Sequence, residues 1–158
     1  MDNKKEILVT EEGYNELISE LELRKTKIRK EISERIKGAL KEGDLSENCE
    51  YQESKEEQNK NESRIIVLSY TLKLAKIVKH NAENRDTIQI GSKVKLKDLE
   101  FDEILEYSIV GATEADPLVG KISNLSPLGS VLLGNKKGKI IDVSSPGGNV
   151  KYEILEVN

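Results

Sequence analysis

Two acids three residues apart, Asp44 and Glu47, with Glu42 and Glu50 beside them, are the strongest chemical signal in this 158-residue chain. Carboxylates at that spacing support two readings. Asp44 at an N-cap and Glu47 at N3 make a capping box, with Asp in the usual Ser/Thr place, that starts a helix. Exposed where the chain reverses, the same pair could instead be delivered into another protein's site. There it would ligate Mg2+, which takes one or two protein carboxylates and fills its shell with water and phosphate oxygens. Two acids alone make a poor metal site, so the second reading requires ligands from a partner.

Around this pair runs a basic band: Arg24, Lys25, Lys27, Arg29, Lys30, Arg35, Lys37 and Lys41, with Lys55 further on. It reads either as a solvated face paired with Glu31, Glu34 and Glu56, or as a track for a nucleic-acid phosphate backbone. No aromatic residues interleave it, so base stacking is not expected. The familiar enzymatic constellations are missing. His80, the one histidine, stands in a polar stretch and has no second histidine to work with. Cys49, the one cysteine, excludes an internal disulfide or a multi-cysteine metal site, and is expected as a helix-start residue. Gly134-Asn135-Lys136-Lys137-Gly138 lacks the Lys-Ser/Thr ending of a phosphate loop and reads as a hairpin turn.

Long helices must position the acids and the basic band. Thr10 is an N-cap candidate before Glu11-Glu12. Tyr14, Leu17, Leu21, Ile28, Ile32, Ile36 and Ala39 then recur at helical spacing, as do Ile65, Leu68, Leu72 and Ala75. Gly43-Asp44-Leu45-Ser46 breaks the pattern between them. Arms over about 12–42 and 46–78 would each span roughly 45–50 Å, an antiparallel hairpin with the acids at its tip. From Tyr51 to Asn61 the second arm offers Gln52, Lys55, Gln58 and Asn61 and almost nothing apolar, so the outer finger is expected to be polar and weakly packed.

Beyond residue 80 the character changes, for all three prolines and most of the eleven glycines lie there. Alternating runs at 93–96, 107–110, 139–143 and 150–154, punctuated by Gly and Pro, predict a small antiparallel sheet, with a short helix within 112–119. Ser126-Pro127-Leu128-Gly129 reads as a turn. The fold class is therefore α+β: a finger over 1–79 with its tip at 43–47, a linker over 80–86, and a sheet domain over 87–158. Charge is dense but balanced, with 25 Lys+Arg against 29 Asp+Glu and a net of -4, which argues against a protein that coats duplexes. No stretch approaches the roughly 18 apolar residues of a membrane helix, and no signal-peptide core follows the N-terminus. The chain reads as soluble and cytoplasmic.

Gly43-Asp44-Leu45-Ser46-Glu47-Asn48-Cys49-Glu50-Tyr51 closely resembles the tip motif of the bacterial Gre transcript-cleavage factors, of the GreA type. The similarity continues through Leu8-Val9-Thr10-Glu11-Glu12-Gly13-Tyr14, Arg64-Ile65, Gly91-Ser92, Ile109-Val110-Gly111, Glu114-Ala115-Asp116, Lys121-Ile122-Ser123, Ser126-Pro127-Leu128-Gly129 and Pro146-Gly147-Gly148. The resemblance implies an antiparallel coiled coil followed by an FKBP-like domain used for docking. It implies binding in the secondary channel of bacterial RNA polymerase, where the factor stimulates cleavage of the nascent RNA 3′ end in backtracked complexes so that elongation resumes. The factor would be no enzyme itself. By resemblance, Asp44 and Glu47 help hold the second Mg2+ of the polymerase site and orient water; no cofactor would be tightly bound. Lys55 matches a basic position along the RNA path, with Lys37 and Lys41 beside it, and Ser126 and Pro127 match the docking loop. Leu40 stands where many members have Arg, Leu125 where the family is commonly polar, and Cys49 where Ala is usual. A monomer is expected, with no membrane partner and no small-molecule substrate.

Two other readings stay open on the sequence. An inhibitory channel-binding paralogue would share fold and partner but block the channel, which retention of both acids argues against. A free-standing prolyl isomerase needs an aromatic-lined pocket, for which residues 81–158 offer only Phe101, Tyr107 and Tyr152.

Overall fold

The structure, a computed structural model, describes residues 5–43 and 48–158; Asp44 and Glu47 lie outside the described residues. It divides into two compact units. One is Tyr14–Leu74; the other takes the chain up to Gly13 together with Ala75–Asn158.

The first unit is a helical hairpin. Its first arm is α1 (Glu11–Leu23), a π-helical turn (Arg24–Ile28) and α2 (Arg29–Leu40), with helical backbone through both junctions. The second arm is α3 (Cys49–Leu74). Buried side chains are Leu17, Ile32 and Ala39 on one arm and Ser54, Asn61, Ile65, Leu68 and Thr71 on the other. Steps between seam residues explain the π turn. Leu17, Leu21, Arg24 and Ile28 advance by four, three and four, but Ile28, Ile32 and Ile36 then advance by four and four. That is one residue more than a heptad allows. The wider π turn takes up the extra residue, and the Arg29 N–H reaches back to the Arg24 carbonyl.

The second arm is shorter than the apolar spacing suggests. Ala75, the last residue of the expected stripe, opens a strand instead. β2 (Ala75–Ile77) pairs in parallel with β1 (Ile7–Val9), and the Val78 N–H continues to the Val9 carbonyl at 2.8 Å. Pairing plus complete burial of Val9 outweighs one more helical turn. This pairing is also why the chain does not divide at residue 80.

The remaining strands are β3 (Lys93–Asp98), β4 (Glu103–Val110), β5 (Lys121–Ser123), β6 (Ile140–Ser145) and β7 (Gly148–Val157), in spatial order β5-β4-β3-β7-β6. The sheet is mixed rather than wholly antiparallel, because β5 returns alongside β4 in the same direction. Its core is Ile88, Val94, Leu96, Ile109, Ile122, Leu132, Ile141, Val143 and Ile154. Leu132 comes from α4 (Pro127–Leu132), a helix that begins where the sequence reads as a turn. The helix expected within 112–119 is only a 3-10 turn at Pro117–Val119. No helix among the described residues is long and apolar enough to cross a membrane.

Candidate functional site

The two arms are described up to Gly43 on one side of the turn and from Asn48 on the other. At the end of α2 the Lys41 N–H bonds the Gly38 carbonyl at 3.1 Å and the Glu42 N–H bonds the Ala39 carbonyl at 3.2 Å. Gly43 then turns the chain out at φ 123°, a region that side chains with a Cβ rarely enter. On the far side Asn48 starts α3. Its carbonyl accepts from the Gln52 N–H at 3.1 Å, and its Oδ1 accepts from the Tyr51 N–H at 3.0 Å, the geometry of an N-cap. The N-cap of α3 is thus Asn48, four residues beyond Asp44, while the capping-box reading of Asp44 and Glu47 itself lies outside the described residues. Asn48 does more, for its Nδ2 donates to the Ala39 carbonyl at 2.7 Å and ties one arm to the other. Asn48 went unremarked in the sequence because Asp44 was read as the cap. The signal was Asn itself, a preferred N-cap residue placed immediately before the helix.

Lys37 and Lys41 are exposed and share a face one turn apart. Lys55 is half-buried on the other arm, its Nζ donating to Gln58 Oε1 at 2.9 Å. The arginines of the basic band do something different. Arg29 forks onto Glu62 through Nε (2.9 Å) and Nη2 (2.8 Å), and Arg35 reaches Glu57 at 2.5 Å. Arg64 forks onto Glu20 at 2.9 and 2.8 Å while Arg24 Nε holds the same carboxylate at 2.8 Å. These pairs mostly cross between arms, and the partners are Glu20, Glu57 and Glu62 rather than the expected Glu31, Glu34 and Glu56. Hydrogen bonds from Arg64, and then from Arg24, hold the Glu20 carboxyl down at about 2. Glu57 and Glu62 are lowered by Arg35 and Arg29. Among the described residues, Lys25, Lys27, Lys30, Lys37 and Lys41 form no ion pair, so the lysines carry the positive charge available to a ligand.

Beneath this network the buried Asn61 sits at the π turn. Its Nδ2 donates to the Arg24 carbonyl and its Oδ1 accepts from Arg24 Nη1, both at 3.2 Å. Both ends of the amide are thereby satisfied inside the seam.

In the sheet unit, Ser126 is the N-cap of α4. Its Oγ accepts from the Gly129 N–H at 3.0 Å and donates to the Ser123 carbonyl at 2.7 Å. The Ser126 hydroxyl is therefore engaged in its own loop, and what the loop presents is Pro127 and Leu125, the latter 75% exposed. A groove of about 500 Å3 is lined by Lys93, Lys95, Glu106, Ser108, Val119 and Glu156, with Tyr107 its only ring. Phe101 is exposed and Tyr152 packs on the core, so these aromatics do not line one pocket as a prolyl isomerase would need. No cluster of three or more metal-ligating side chains occurs among the described residues.

Residues 7–77 match the family described as "Transcription elongation factor, N-terminal", and residues 82–158 match "Transcription elongation factor, GreA/GreB, C-term". The chain is 55% identical over 158 residues to "Transcription elongation factor GreA" of Clostridium botulinum (strain Hall), covering 100% of this chain and 99% of that protein. It is 51% identical over 157 residues to the protein of the same name from Clostridioides difficile (strain 630), covering 99% of each. Among solved structures it is similar to GreA factor homolog 1 of Thermus thermophilus at 27% identity, covering 98% of this chain and 99% of that one, with a TM-score of 0.45.

Proposed function

Because the chain belongs to the GreA/GreB family of transcription elongation factors, we propose that it acts as an accessory to bacterial RNA polymerase, entering the secondary channel and stimulating cleavage of the backtracked RNA 3′ end. Asp44 and Glu47 are the residues it lends to that site. The observation that carries this reading is the capping of α3 by Asn48. The second arm is capped by Asn48 and so does not need Asp44 as its cap.

Mg2+ shared with the polymerase site fits this donor set only in part. Two carboxylates fill a minority of an octahedral shell, and the rest must come from the polymerase, water and RNA phosphate. Held there, the ion would activate water and neutralise charge on the phosphoryl oxygens. The chain's own tasks are to bring the two carboxylates to the RNA and hold them in place. Lys37, Lys41 and Lys55 lie along the same outer part of the finger and supply charge for the RNA backbone. Leu125 and Pro127 are the groups through which the Ser126 loop docks, with Ser126 holding the loop from within. The helical hairpin of Tyr14–Leu74 and the sheet unit work as one factor, a monomer on the polymerase.

The test is Asp44→Asn in stalled, backtracked elongation complexes, with melting followed in parallel. Asn removes the charge at little steric cost, so stability should match the wild type. The maximal rate of RNA cleavage should fall at least about a hundredfold, the scale of losing a group that acts on the reacting atoms. Cleavage at the wild-type rate would refute the role of Asp44. A wild type that slows the polymerase without any cleavage would make this an inhibitory channel-binding factor.

A further inference from the structure

We propose that the outward face of α3 is a self-docking surface: two free copies pair antiparallel through Ile66, Val67 and Tyr70, with Glu62 and Lys73 at the ends. The pairing belongs to the protein off the polymerase and does not depend on the role given to the acid pair.

The inner half of α3 carries more apolar surface than its hairpin covers. From Ile65 to Leu74 the sequence runs Ile-Ile-Val-Leu-Ser-Tyr-Thr-Leu-Lys-Leu. Ile65 and Leu68 are buried in the seam. At 3.6 residues per turn, Ile66 and Tyr70 stand on the far side of the helix from Leu68 and Asn61. They are 68% and 63% exposed, Val67 beside them is 52% exposed, and Leu74 continues the stripe half-buried one turn on. A helix apolar on two opposite sides is of the kind that is covered on both. Single exposed apolar residues are ordinary, whereas a contiguous group with polar ends marks an interaction site.

The charges at the ends of the stripe say what covers it. Glu62 stands one turn before Ile66, and Lys73 about one turn after Tyr70. A parallel copy would set Glu62 against Glu62 and Lys73 against Lys73. An antiparallel copy brings Ile66 onto Tyr70 and Glu62 beside Lys73, and the two-fold axis makes each contact occur twice. Lys73 is exposed and forms no ion pair among the described residues. Glu62 is forked by Arg29, yet a carboxylate has room for a further donor, as Glu20 shows by accepting from Arg64 and Arg24 together. Tyr70 at the centre is of a residue type enriched in interface cores. Three exposed apolar side chains per copy cover less than the roughly 1,200 Å2 of a stable interface, so the pair is weak and exchanges readily. None of these residues belongs to the acid pair, the lysine face or the docking loop.

Sedimentation equilibrium of the full chain from micromolar to millimolar concentration tests this. The wild type should move from the mass of one chain toward that of two. Tyr70→Glu should weaken the association at least about tenfold, the scale of losing a central interface side chain. It should melt with the wild type, because Tyr70 is exposed. Lys73→Glu and Glu62→Lys each set like charges together twice and should weaken pairing at least about tenfold. Mixed in equal amounts, these two variants should pair again, since each then meets its opposite in both contacts. Glu62→Lys also loses the Arg29 contact, so its melting is followed alongside; Lys73→Glu breaks no pair of its own. A wild type that remains one chain at millimolar concentration overturns the proposal. So does association that survives Tyr70→Glu, and so do charge variants that fail to pair when mixed. If the wild type stays single and Tyr70→Glu binds polymerase more weakly, polymerase covers the stripe and a second copy does not.

Discussion

At the scale of single residues, the second unit contains a junction as specific as the tip. Thr10 caps α1 through the Gly13 N–H at 3.0 Å. The Glu114 carboxylate, 104 residues away in sequence, accepts from the Thr10 N–H at 2.9 Å, from the Thr10 hydroxyl, and from the Gly111 N–H at 3.3 Å. A Cβ on Gly13 would overlap that carboxylate. Two effects then oppose each other in Gly13→Ala. Helix propensity favours Ala by about 1 kcal/mol, whereas forcing the Glu114 carboxylate aside costs about 1–3 kcal/mol and strains three hydrogen bonds. We expect the clash to win and Tm to fall by several degrees. In a Glu114→Ala background the obstacle is gone, and the same substitution should become neutral or stabilising. A double-mutant cycle by thermal melting checks the sign, and equal effects in both backgrounds would show that the contact is irrelevant. The cap at Thr10 was legible in the sequence, since cap chemistry is local. Its partner was not, because nothing in the spacing of 10–14 points to Glu114.

At the scale of elements, the finger is held by a chain of polar contacts where a coiled coil would ordinarily be apolar. Glu20 is gripped by Arg64 and Arg24, and Arg24 in turn bonds Asn61 at the π turn. Since Glu20 titrates at about 2 in the fold against 4.5 ordinarily, its contribution is fully present above about pH 4.5 and is lost as pH falls toward 2. Partial exposure and solvent screening reduce that contribution to about 1 kcal/mol. Acid melting curves should therefore show the hairpin losing stability across that window, with Glu20→Gln less stable at neutral pH and flatter below pH 4.5. An identical acid dependence in the variant would remove Glu20 from the account. Element boundaries show what local pattern can and cannot reveal. The period of α3 was plain from its apolar residues. Its end was not, because Ala75–Ile77 is drawn into pairing with Ile7–Val9, a partner from the other end of the chain. Similarly β5 is three residues long, and only its place beside β4 makes it a strand. The π turn was present in the sequence as three consecutive steps of four, a signal hidden by reading the seam as an uninterrupted stripe.

At the scale of the molecule, stability must be unevenly distributed, because the two units are built from different materials. The sheet unit closes over nine buried aliphatic residues from five strands, α4 and the segment before β3. The finger's outer half has Ile32 and Ala39 on one arm opposite an α3 whose buried residues there, Ser54 and Asn61, are polar. A buried aliphatic side chain contributes roughly 1.5–3 kcal/mol, while a hydrogen bond that replaces one to water nets only about 1. Native-state hydrogen exchange should therefore find amides at 52–60 opening at a lower free energy than those of β3, β4 and β7. The difference should be visible as weak dependence on denaturant in the finger and strong dependence in the sheet. Asn61→Leu sharpens the test. Leu restores apolar burial to the seam and should raise protection at 52–60, at the cost of the contact that holds Arg24 at the π turn and of the register a buried Asn specifies. If protection is already uniform in the wild type, the polar seam is no weak point. If it is graded and Asn61→Leu levels it while slowing RNA cleavage, then the finger's low stability belongs to its work, since an arm that must fit a channel it did not build needs some freedom to adjust.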